Sequence, residues 1–256
     1  WELQGFGEYT YGRWYTVKGQ RPSDETGIYR YKFDVPKSWA GQRVKIFFDG
    51  VMTDAEIIIN GKPAGELHQG GFYRFNYDIT ELLNLGKKNQ LEVKVAKESA
   101  NRSINAAERK ADWWLFGGIY RPVWLEVLPQ IHMKHFVLSA DHKGKFQASI
   151  DMEGDAKGHE IVVSVRSLKD GKTVYTSNGQ TTITHPINNS GKEQMISGEW
   201  TNIVPWSTEA PNLYVVKLEL KNPEGKIVQT RETRIGFRTV EFFPQDGVYL
   251  NGTKLV

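Results

Sequence analysis

Hydrophobic and polar residues alternate with a period of two along most of the chain, the pattern of half-buried β-strands. In residues 27–35, the apolar Tyr29, Tyr31, Phe33 and Val35 alternate with charged side chains. Similar alternation, or short β-branched and aromatic runs, predicts further strands in the first half of the chain at 44–48, 55–59, 62–67, 72–77, 91–95 and 123–127.

Turn residues separate these predicted strands. Asn60-Gly61 provides the positive φ angles of a tight hairpin between two of them. Two segments predict helices instead, residues 78–85 and the polar stretch 103–112. Many short strands between glycine, proline and asparagine turns favour an all-β sandwich.

A second series of strands follows Leu128-Pro129, where proline cannot donate a hydrogen bond to a central ladder. The predicted strands are 135–140, 145–152, 160–168, 172–177, 180–184, 198–203, 213–220 and 227–234. About seven short strands in roughly 100 residues are typical of an immunoglobulin-like sandwich. The pattern therefore predicts two β-sandwiches in tandem.

The last residues predict one more hairpin, with its turn at Asn251-Gly252 and its second strand reaching Val256. Because a lone hairpin is not stable by itself, we expect it to be the entrance to a further domain. The chain begins at Trp1 rather than at methionine, so we also expect a longer native polypeptide.

Composition narrows the classes of function. The chain has 256 residues, of which 39% are hydrophobic and 25% charged, enough to bury a substantial core. Because it has no cysteine, a disulfide framework, a thiolate zinc site and a cysteine nucleophile are excluded. A net charge of +3 does not indicate nucleic-acid binding, and no apolar run approaches the roughly 20 residues of a membrane span. We therefore expect neither nucleic acid nor a membrane as a partner.

Familiar catalytic motifs do not occur in the sequence. Gly5, Gly7 and Gly12 lack the spacing of a dinucleotide-binding loop, and there is no phosphate-cradling loop or nucleophile elbow. The six histidines are scattered, and we expect surface positions for them. His132 and His135 are three residues apart, so they lie on opposite faces of a strand, with no carboxylate spaced to complete a metal site. We expect no metal and no cofactor.

One segment places a carboxylate beside many aromatic rings, in a chain with 8 Trp, 11 Tyr and 12 Phe. Asp112 is followed by Trp113, Trp114, Phe116 and Tyr120. Sugar recognition uses carboxylate acceptors for hydroxyl groups and aromatic faces for C–H surfaces. Alternatively, the rings pack the edge of the sandwich and Asp112 caps a turn. The residues alone leave both interpretations open.

The same segment carries a family resemblance. Residues 112–123, Asp-Trp-Trp-Leu-Phe-Gly-Gly-Ile-Tyr-Arg-Pro-Val, resemble the signature that closes the N-terminal sugar-binding jelly roll of glycoside hydrolase family 2. This family includes β-galactosidases, β-glucuronidases and β-mannosidases. Further pieces resemble the family in the same order, at 26–30, 33–36, 48–51, 59–62, 70–72, 78–80, 206–214, 236–238 and 250–252.

The resemblance implies three parts: a jelly roll over residues 1–128, an immunoglobulin-like sandwich over 129–240 and the start of a (β/α)₈ catalytic barrel over 241–256. The two catalytic glutamates of the family would then follow this chain, which is expected to hold no catalytic residue. An aspartate at the position of Asp112 contacts substrate in β-galactosidases and β-glucuronidases. Asp112, Trp113 and Trp114 are therefore the candidate substrate-binding residues, and Arg121 is expected to be structural.

The function implied is that of the non-catalytic N-terminal region of an exo-acting, retaining, β-galactosidase-like glycosidase, with the jelly roll forming one wall of the sugar pocket. A stand-alone carbohydrate-binding module and a structural tandem sandwich are the alternatives. The expected partners are a carbohydrate substrate and the catalytic barrel in cis. Homo-oligomerisation and export to the periplasm or the cell exterior are further expectations.

Overall fold

The structure is a computed structural model that describes residues 5–6, 10–11, 25–110, 113–188 and 192–255. The chain divides into two compact units, residues 1–128 and 129–256. Antiparallel strands form nearly all of the regular structure that is described in both units. The predicted all-β class is therefore confirmed.

The first unit is a jelly-roll β-sandwich. Its two larger sheets have the strand orders β12-β3-β8 and β2-β9-β5-β6, with β7 also paired to β5, while β1 pairs with β10 and β4 with β11. The strands are β1 (Thr10–Tyr11), β2 (Thr26–Asp34), β3 (Arg43–Phe48), β4 (Val51–Met52), β5 (Asp54–Ile59), β6 (Lys62–Pro63), β7 (His68–Gln69), β8 (Phe75–Asp78), β9 (Lys88–Ala96), β10 (Trp114–Leu115), β11 (Gly118–Ile119) and β12 (Val123–Leu128).

Strand alternation builds the core of this unit. Along β3, Val44, Ile46 and Phe48 are buried, whereas Arg43 and Phe47 are only partly buried on the opposite face. Each fully buried side chain of this size contributes roughly 1.5–3 kcal/mol relative to an exposed one. The other buried members include Val51, Ala55, Ile57, Ile59, Ile79, Val93 and Val95.

The Asn60-Gly61 hairpin is confirmed, with φ of 51° and 80° at its two central residues. The Asn60 amide donates to the carbonyl of Leu82 (2.8 Å) and to Asn89 Oδ1 (2.7 Å), and its Oδ1 accepts from the N–H of Gln90 (2.9 Å). The returning strand, predicted over 62–67, spans only Lys62–Pro63, and one further hydrogen bond to β5 follows it, from the N–H of Ala64 to the carbonyl oxygen of Ile57 (2.8 Å).

Helical structure is shorter than predicted. In place of a helix over 78–85, Asp78 ends β8 and its Oδ1 accepts from the N–H (3.0 Å) and hydroxyl (2.6 Å) of Thr80, which leaves one 3₁₀ turn, Thr80–Leu82. Another 3₁₀ turn spans Lys37–Trp39. The helix predicted over 103–112 is an α-helical turn, Arg102–Ile104, followed by a π-helical turn, Asn105–Arg109, while residues 111–112 lie outside the described residues.

The second unit is an immunoglobulin-like β-sandwich without a disulfide. Its sheets are β13-β14-β17 and β16-β15-β18-β19, and a separate three-stranded sheet has the order β20-β21-β22. The strands are β13 (His132–Ala140), β14 (Lys145–Glu153), β15 (Glu160–Ser167), β16 (Thr182–Pro186), β17 (Glu193–Glu199), β18 (Tyr214–Lys221), β19 (Ile227–Ile235), β20 (Val240–Phe243), β21 (Gly247–Leu250) and β22 (Thr253–Lys254).

Two strand predictions for this unit are wrong. The strand predicted over 198–203 lies earlier, at Glu193–Glu199, where Gln194 is 5% exposed and Met195 is 59% exposed. The inward polar residue and outward apolar residue invert the expected pattern. Residues 172–177 form only isolated bridges, between Arg166 and Thr173 and between Thr176 and Trp200.

The surface position expected for the histidines is wrong for His159, which is 9% exposed, and most clearly for His132. This side chain is fully buried at the start of β13, with Nδ1 2.9 Å from the carbonyl oxygen of Pro129 and Nε2 3.8 Å from Glu153 Oε2. His135 is exposed, and the ladder of β13 with β14 shifts register between Met133 and His135. A buried polar side chain at a strand end satisfies a backbone carbonyl here, which the sequence does not reveal.

Candidate functional site

Of the three candidate substrate-binding residues, the structure describes Trp113 and Trp114, which lie among exposed aromatic rings of the first unit. Asp112 lies outside the described residues. Trp113 and Trp114 are 43% and 51% exposed. Trp114 begins β10, whose backbone pairs with β1, and the ring of Trp113 meets that of Phe72 edge to face with centroids 6.3 Å apart. The structure thus keeps both tryptophan rings accessible on one unit.

The exposed rings come from two segments of the first unit, residues 72–73 and 113–120. We call them together the aromatic surface, and its members are Phe72, Tyr73, Trp113, Trp114, Phe116 and Tyr120. Single exposed apolar residues are ordinary, but contiguous exposed apolar side chains mark an interaction surface. Sequence reasoning identified the second segment and took 72–77 for a strand, although β8 begins only at Phe75.

The tyrosine hydroxyls of the aromatic surface are committed to the protein backbone. Tyr73 donates to the carbonyl oxygen of Gln69 (2.5 Å) and Tyr120 donates to that of Gly71 (2.5 Å). Since a ring with a bonded hydroxyl cannot swing freely, these contacts fix the two rings, which remain 51% and 42% exposed. Exposed aromatic rings suit the C–H surface of a sugar ring.

Two residues that the sequence did not single out lie behind the aromatic surface. Glu108 Oε2 accepts a hydrogen bond from the N–H of Gly71 (2.7 Å), and the buried Arg109 donates from Nη2 to the carbonyl oxygen of Phe116 (3.0 Å). Both belong to the polar segment predicted as a helix. No spacing signal in the sequence relates Glu108 to Gly71, 37 residues away.

A network of polar side chains contacts β7, the strand that precedes residues 72–73 of the aromatic surface. Asp54 is buried, and its Oδ2 accepts from the side chain of Gln69 (3.0 Å) and from the N–H of Ala100 (2.8 Å). The ring of His68 stacks on Phe75 with centroids 3.5 Å apart. Burial lowers the pKa of His68 below 6.5, against the opposing effect of its contact with the Gly70 carbonyl. His68 is therefore neutral near pH 7.

A second cluster of aromatic and charged residues follows the turn after β3. Asp49 Oδ1 accepts from Arg74 Nε (2.6 Å) and Trp124 Nε1 (3.2 Å), and Trp124 stacks on Phe47 at 4.2 Å. Burial raises the pKa of Asp49, but the hydrogen bonds from Trp124 and Arg74 outweigh it. The net pKa lies below 3.8. Arg121, expected to be structural, lies 5.2 Å from the centroid of the Tyr120 ring.

Replacing Asp49 with asparagine is expected to destabilise the protein near neutral pH and to have a smaller effect in acid. Because the folded-state pKa is lowered, the stabilisation by Asp49 is complete above 3.8 and is lost as the pH falls through the folded-state value. Urea unfolding midpoints at about pH 7 and about pH 2 measure this difference. Asp34→Asn, at the exposed end of β2, is the control. An Asp49→Asn effect of equal size at both pH values would contradict the prediction.

An apolar cavity of about 380 Å³ opens between β2 and β12 of the first unit. Apart from Arg30, its described lining is aliphatic or aromatic, including Tyr29, Phe33, Leu91 and Leu125. Its described lining includes neither Trp113 nor Trp114, so the aromatic surface is the better candidate site.

The described part of the chain contains no group of three or more His, Asp or Glu side chains that could hold a metal ion. Its helices are also too short and too polar for any of them to cross a membrane.

Comparison with protein families gives two matches that together span residues 1–238. Residues 1–129 match the profile described as glycosyl hydrolases family 2, sugar binding domain, and residues 130–238 match the profile described as glycosyl hydrolases family 2. The two profiles follow one another in the order of the two units.

Individual relatives are glycosidases by name. The chain is 32% identical over 231 residues to a β-galactosidase of Thermoanaerobacter pseudethanolicus, covering 89% of this chain and 30% of that protein. It is 29% identical to a putative β-glucuronidase of Formosa agariphila, covering 83% of this chain and 25% of that protein. A crystal structure of a Bacteroides uniformis β-glucuronidase aligns with a TM-score of 0.70 at 27% identity, covering 95% of this chain and 30% of that one. The chain thus spans about a third or less of each relative.

Proposed function

The chain belongs to glycosyl hydrolase family 2, and from this membership we propose that it is the non-catalytic N-terminal region of an exo-acting, retaining glycosidase of the β-galactosidase type. Support comes from the two consecutive family matches and from relatives named β-galactosidase and β-glucuronidase. Because the chain spans only 30% of the Thermoanaerobacter protein, that relative has room for further domains, and the proposal assigns a catalytic domain to the parent polypeptide of this chain.

The jelly roll forms one wall of the sugar pocket in this proposal. The observation that carries it is the aromatic surface, whose rings are 39% to 51% exposed on two adjacent segments. Ligand pockets form preferentially at domain interfaces, and a wall supplied by one domain is completed by the next. Asp112 would accept hydrogen bonds from sugar hydroxyls, and Trp113 and Trp114 would stack on the sugar ring.

Hydrolysis would be performed by two glutamates of the catalytic domain, one as acid/base and one as nucleophile. In this proposal residues 1–128 bind sugar, residues 129–240 link the sugar-binding domain to the barrel, and residues 241–256 enter the barrel. The sheet of β20, β21 and β22 supports the last assignment, because Phe242 is 76% exposed there and fits burial against a following domain.

A stand-alone carbohydrate-binding module is the second candidate, since the same exposed rings could bind a glycan without hydrolysis. Titration calorimetry of the 256-residue chain with monosaccharides and oligosaccharides distinguishes the two. The glycosidase proposal predicts weak binding or none, because most of the pocket lies in the catalytic domain. A micromolar dissociation constant would favour the binding module.

The chain by itself is expected to hydrolyse no nitrophenyl glycoside, because neither catalytic glutamate belongs to it. A longer polypeptide of the same protein that includes the catalytic domain is expected to turn over a nitrophenyl β-glycoside. The measurement is the release of nitrophenol, with the longer polypeptide carrying Glu→Gln at its two catalytic glutamates as the control. Clear turnover by the purified 256-residue chain would overturn the proposal.

A further inference from the structure

The helical turn Arg102–Arg109 lies behind the aromatic surface and reaches both of its segments. Its last five residues form a π-helical turn, a feature that often occurs at functional sites. The two consecutive side chains at its end contact different segments of the aromatic surface. Glu108 contacts Gly71, next to Phe72, and Arg109 contacts Phe116. One short turn therefore holds the two segments together.

Gly71 is the point at which the two segments meet. Its N–H donates to Glu108 Oε2 (2.7 Å), and its carbonyl oxygen accepts from the hydroxyl of Tyr120 (2.5 Å). Both partners are side chains distant in sequence, 37 and 49 residues away. A Cβ at this position would lie 2.9 Å from Cγ of Met52, so a larger residue would displace the side chain of Met52. The backbone of Gly71 is thus held from both sides.

Arg109 provides the second contact point. Its side chain is 1% exposed, Nη2 donates to the carbonyl oxygen of Phe116 (3.0 Å), and Nη1 lies 3.6 Å from Sδ of Met52. Met52 is also the neighbour of Gly71, so the same few atoms are packed under both segments. Burying a guanidinium costs free energy unless its N–H groups donate hydrogen bonds. The contacts of Arg109 therefore require the Phe116 carbonyl to lie in one position.

The turn itself is anchored at its base. The side chain of Asn105 accepts from the N–H of Ser99 (2.9 Å) and donates to its carbonyl (2.6 Å), while Asn101 caps the turn by accepting from Ser103 (2.9 Å). Ser99 also receives a hydrogen bond from Gln69, the last residue of β7 (3.3 Å). Glu108 and Arg109 therefore extend from a fixed backbone.

We propose that Glu108 and Arg109 are positioning residues that hold the two aromatic segments in one mutual arrangement and so set the shape of the sugar-facing wall. This inference rests on the proposed function for its effect on substrate. Neither residue touches the reacting bond. Their removal weakens sugar binding in the ground state and in the transition state alike, which raises KM more than it changes kcat.

Amide hydrogen exchange on the 256-residue chain tests the positioning role directly. Glu108→Ala is expected to speed exchange of the Gly71 amide by roughly 10- to 100-fold, the effect of losing one hydrogen bond to a charged group. Exchange in residues 114–118 is expected to rise as well, because Tyr120 links that segment to Gly71. Glu108→Gln keeps an acceptor oxygen and is expected to change exchange less.

The matching variants at the second position are Arg109→Met, which removes the donors to Phe116, and Arg109→Lys, which keeps one donor. Arg109→Met is expected to speed exchange in 114–118, and Arg109→Lys to restore part of the protection. Arg102→Ala, on an exposed side chain of the same turn, is the control. Unchanged exchange in both segments, or an equal rise that includes β5 and β9, would overturn the positioning role.

Steady-state kinetics of the longer polypeptide test the expected effect of Glu108 and Arg109 on substrate binding. Glu108→Ala is expected to raise KM for a nitrophenyl glycoside by roughly 10-fold with kcat within about 2-fold, the mark of lost uniform binding. If Trp113→Ala lowers kcat/KM but Glu108→Ala does not, the positioning role is wrong, while the proposal that the aromatic surface binds sugar is retained. If the longer polypeptide hydrolyses no glycoside, the proposed function is wrong, and the exchange experiment alone decides the positioning role.

Discussion

Replacing Asp112 with alanine in the longer polypeptide is expected to lower kcat/KM for a glycoside by roughly 10- to 100-fold while the protein remains folded. Loss of a hydrogen bond to a charged acceptor costs about 1.5–3 kcal/mol, and each 1.4 kcal/mol corresponds to about a factor of ten. The measurement is steady-state kinetics with nitrophenyl glycosides, with urea unfolding of the same samples.

Two comparisons sharpen the test of Asp112. Asp112→Asn keeps an oxygen that accepts a hydrogen bond but removes the charge, so it is expected to fall between the wild type and Asp112→Ala. Asp34→Ala removes an exposed carboxylate at the far end of β2 and is expected to leave kcat/KM unchanged. Unchanged kinetics in Asp112→Ala, with lowered stability, would mean that Asp112 only caps a turn.

Replacing Trp200 with alanine is expected to reduce the free energy of unfolding of the second unit by about 3–5 kcal/mol, the range for removing a large aromatic side chain from a core. Trp200 is 1% exposed and packs edge to face on Phe146, with centroids 6.5 Å apart and an interplanar angle of 83°. The backbone N–H of Trp200 donates to the carbonyl oxygen of Gly144 (2.9 Å). This bond holds the backbone in place, so it cannot readily fill the cavity that the Trp200→Ala substitution leaves.

Hydrogen exchange in β14 and β18 as a function of urea measures the stability of this unit separately from the other. Met195→Ala is the matched control, because it also shortens a large apolar side chain. Met195 is 59% exposed on β17, the strand that ends just before Trp200. Its effect is expected to lie within about 0.5 kcal/mol of zero. A Trp200→Ala effect as small as that of Met195→Ala would contradict the prediction.

Strands were predictable from sequence where the alternation follows burial, as it does along β3. Along β2, Tyr29 and Phe33 are partly buried but Tyr31 is 66% exposed. The strand β17 was misplaced because Gln194 faces inward and Met195 outward, which reverses the signal that locates a buried face. Gln194 lies beside His185 of β16, which belongs to the other sheet of this unit, with Oε1 and Nε2 3.3 Å apart. Such polar contacts in a core depend on tertiary partners.

The candidate site was only partly predictable, for a related reason. The density of rings after Asp112 is visible in the sequence, but the partners of Glu108 and Arg109 are not. Glu108 contacts a backbone N–H, and any residue except proline provides one, so no residue type marks Gly71 as its partner. The change from α- to π-helical turns at Asn105 has no signal in the sequence either.

The Asn60-Gly61 turn has a consequence for the chemical ageing of the protein. An Asn-Gly pair deamidates when the following backbone nitrogen attacks the side-chain carbonyl, which requires the amide to rotate toward it. In Asn60 both ends of the amide are bonded to other parts of the first unit, and in Asn251 the amide is bonded to Thr239 (3.0 Å) and Trp206 (2.9 Å). Folding therefore protects these two Asn-Gly pairs from a reaction to which their sequence exposes them, whereas Asn178 in the third pair, Asn178-Gly179, is exposed.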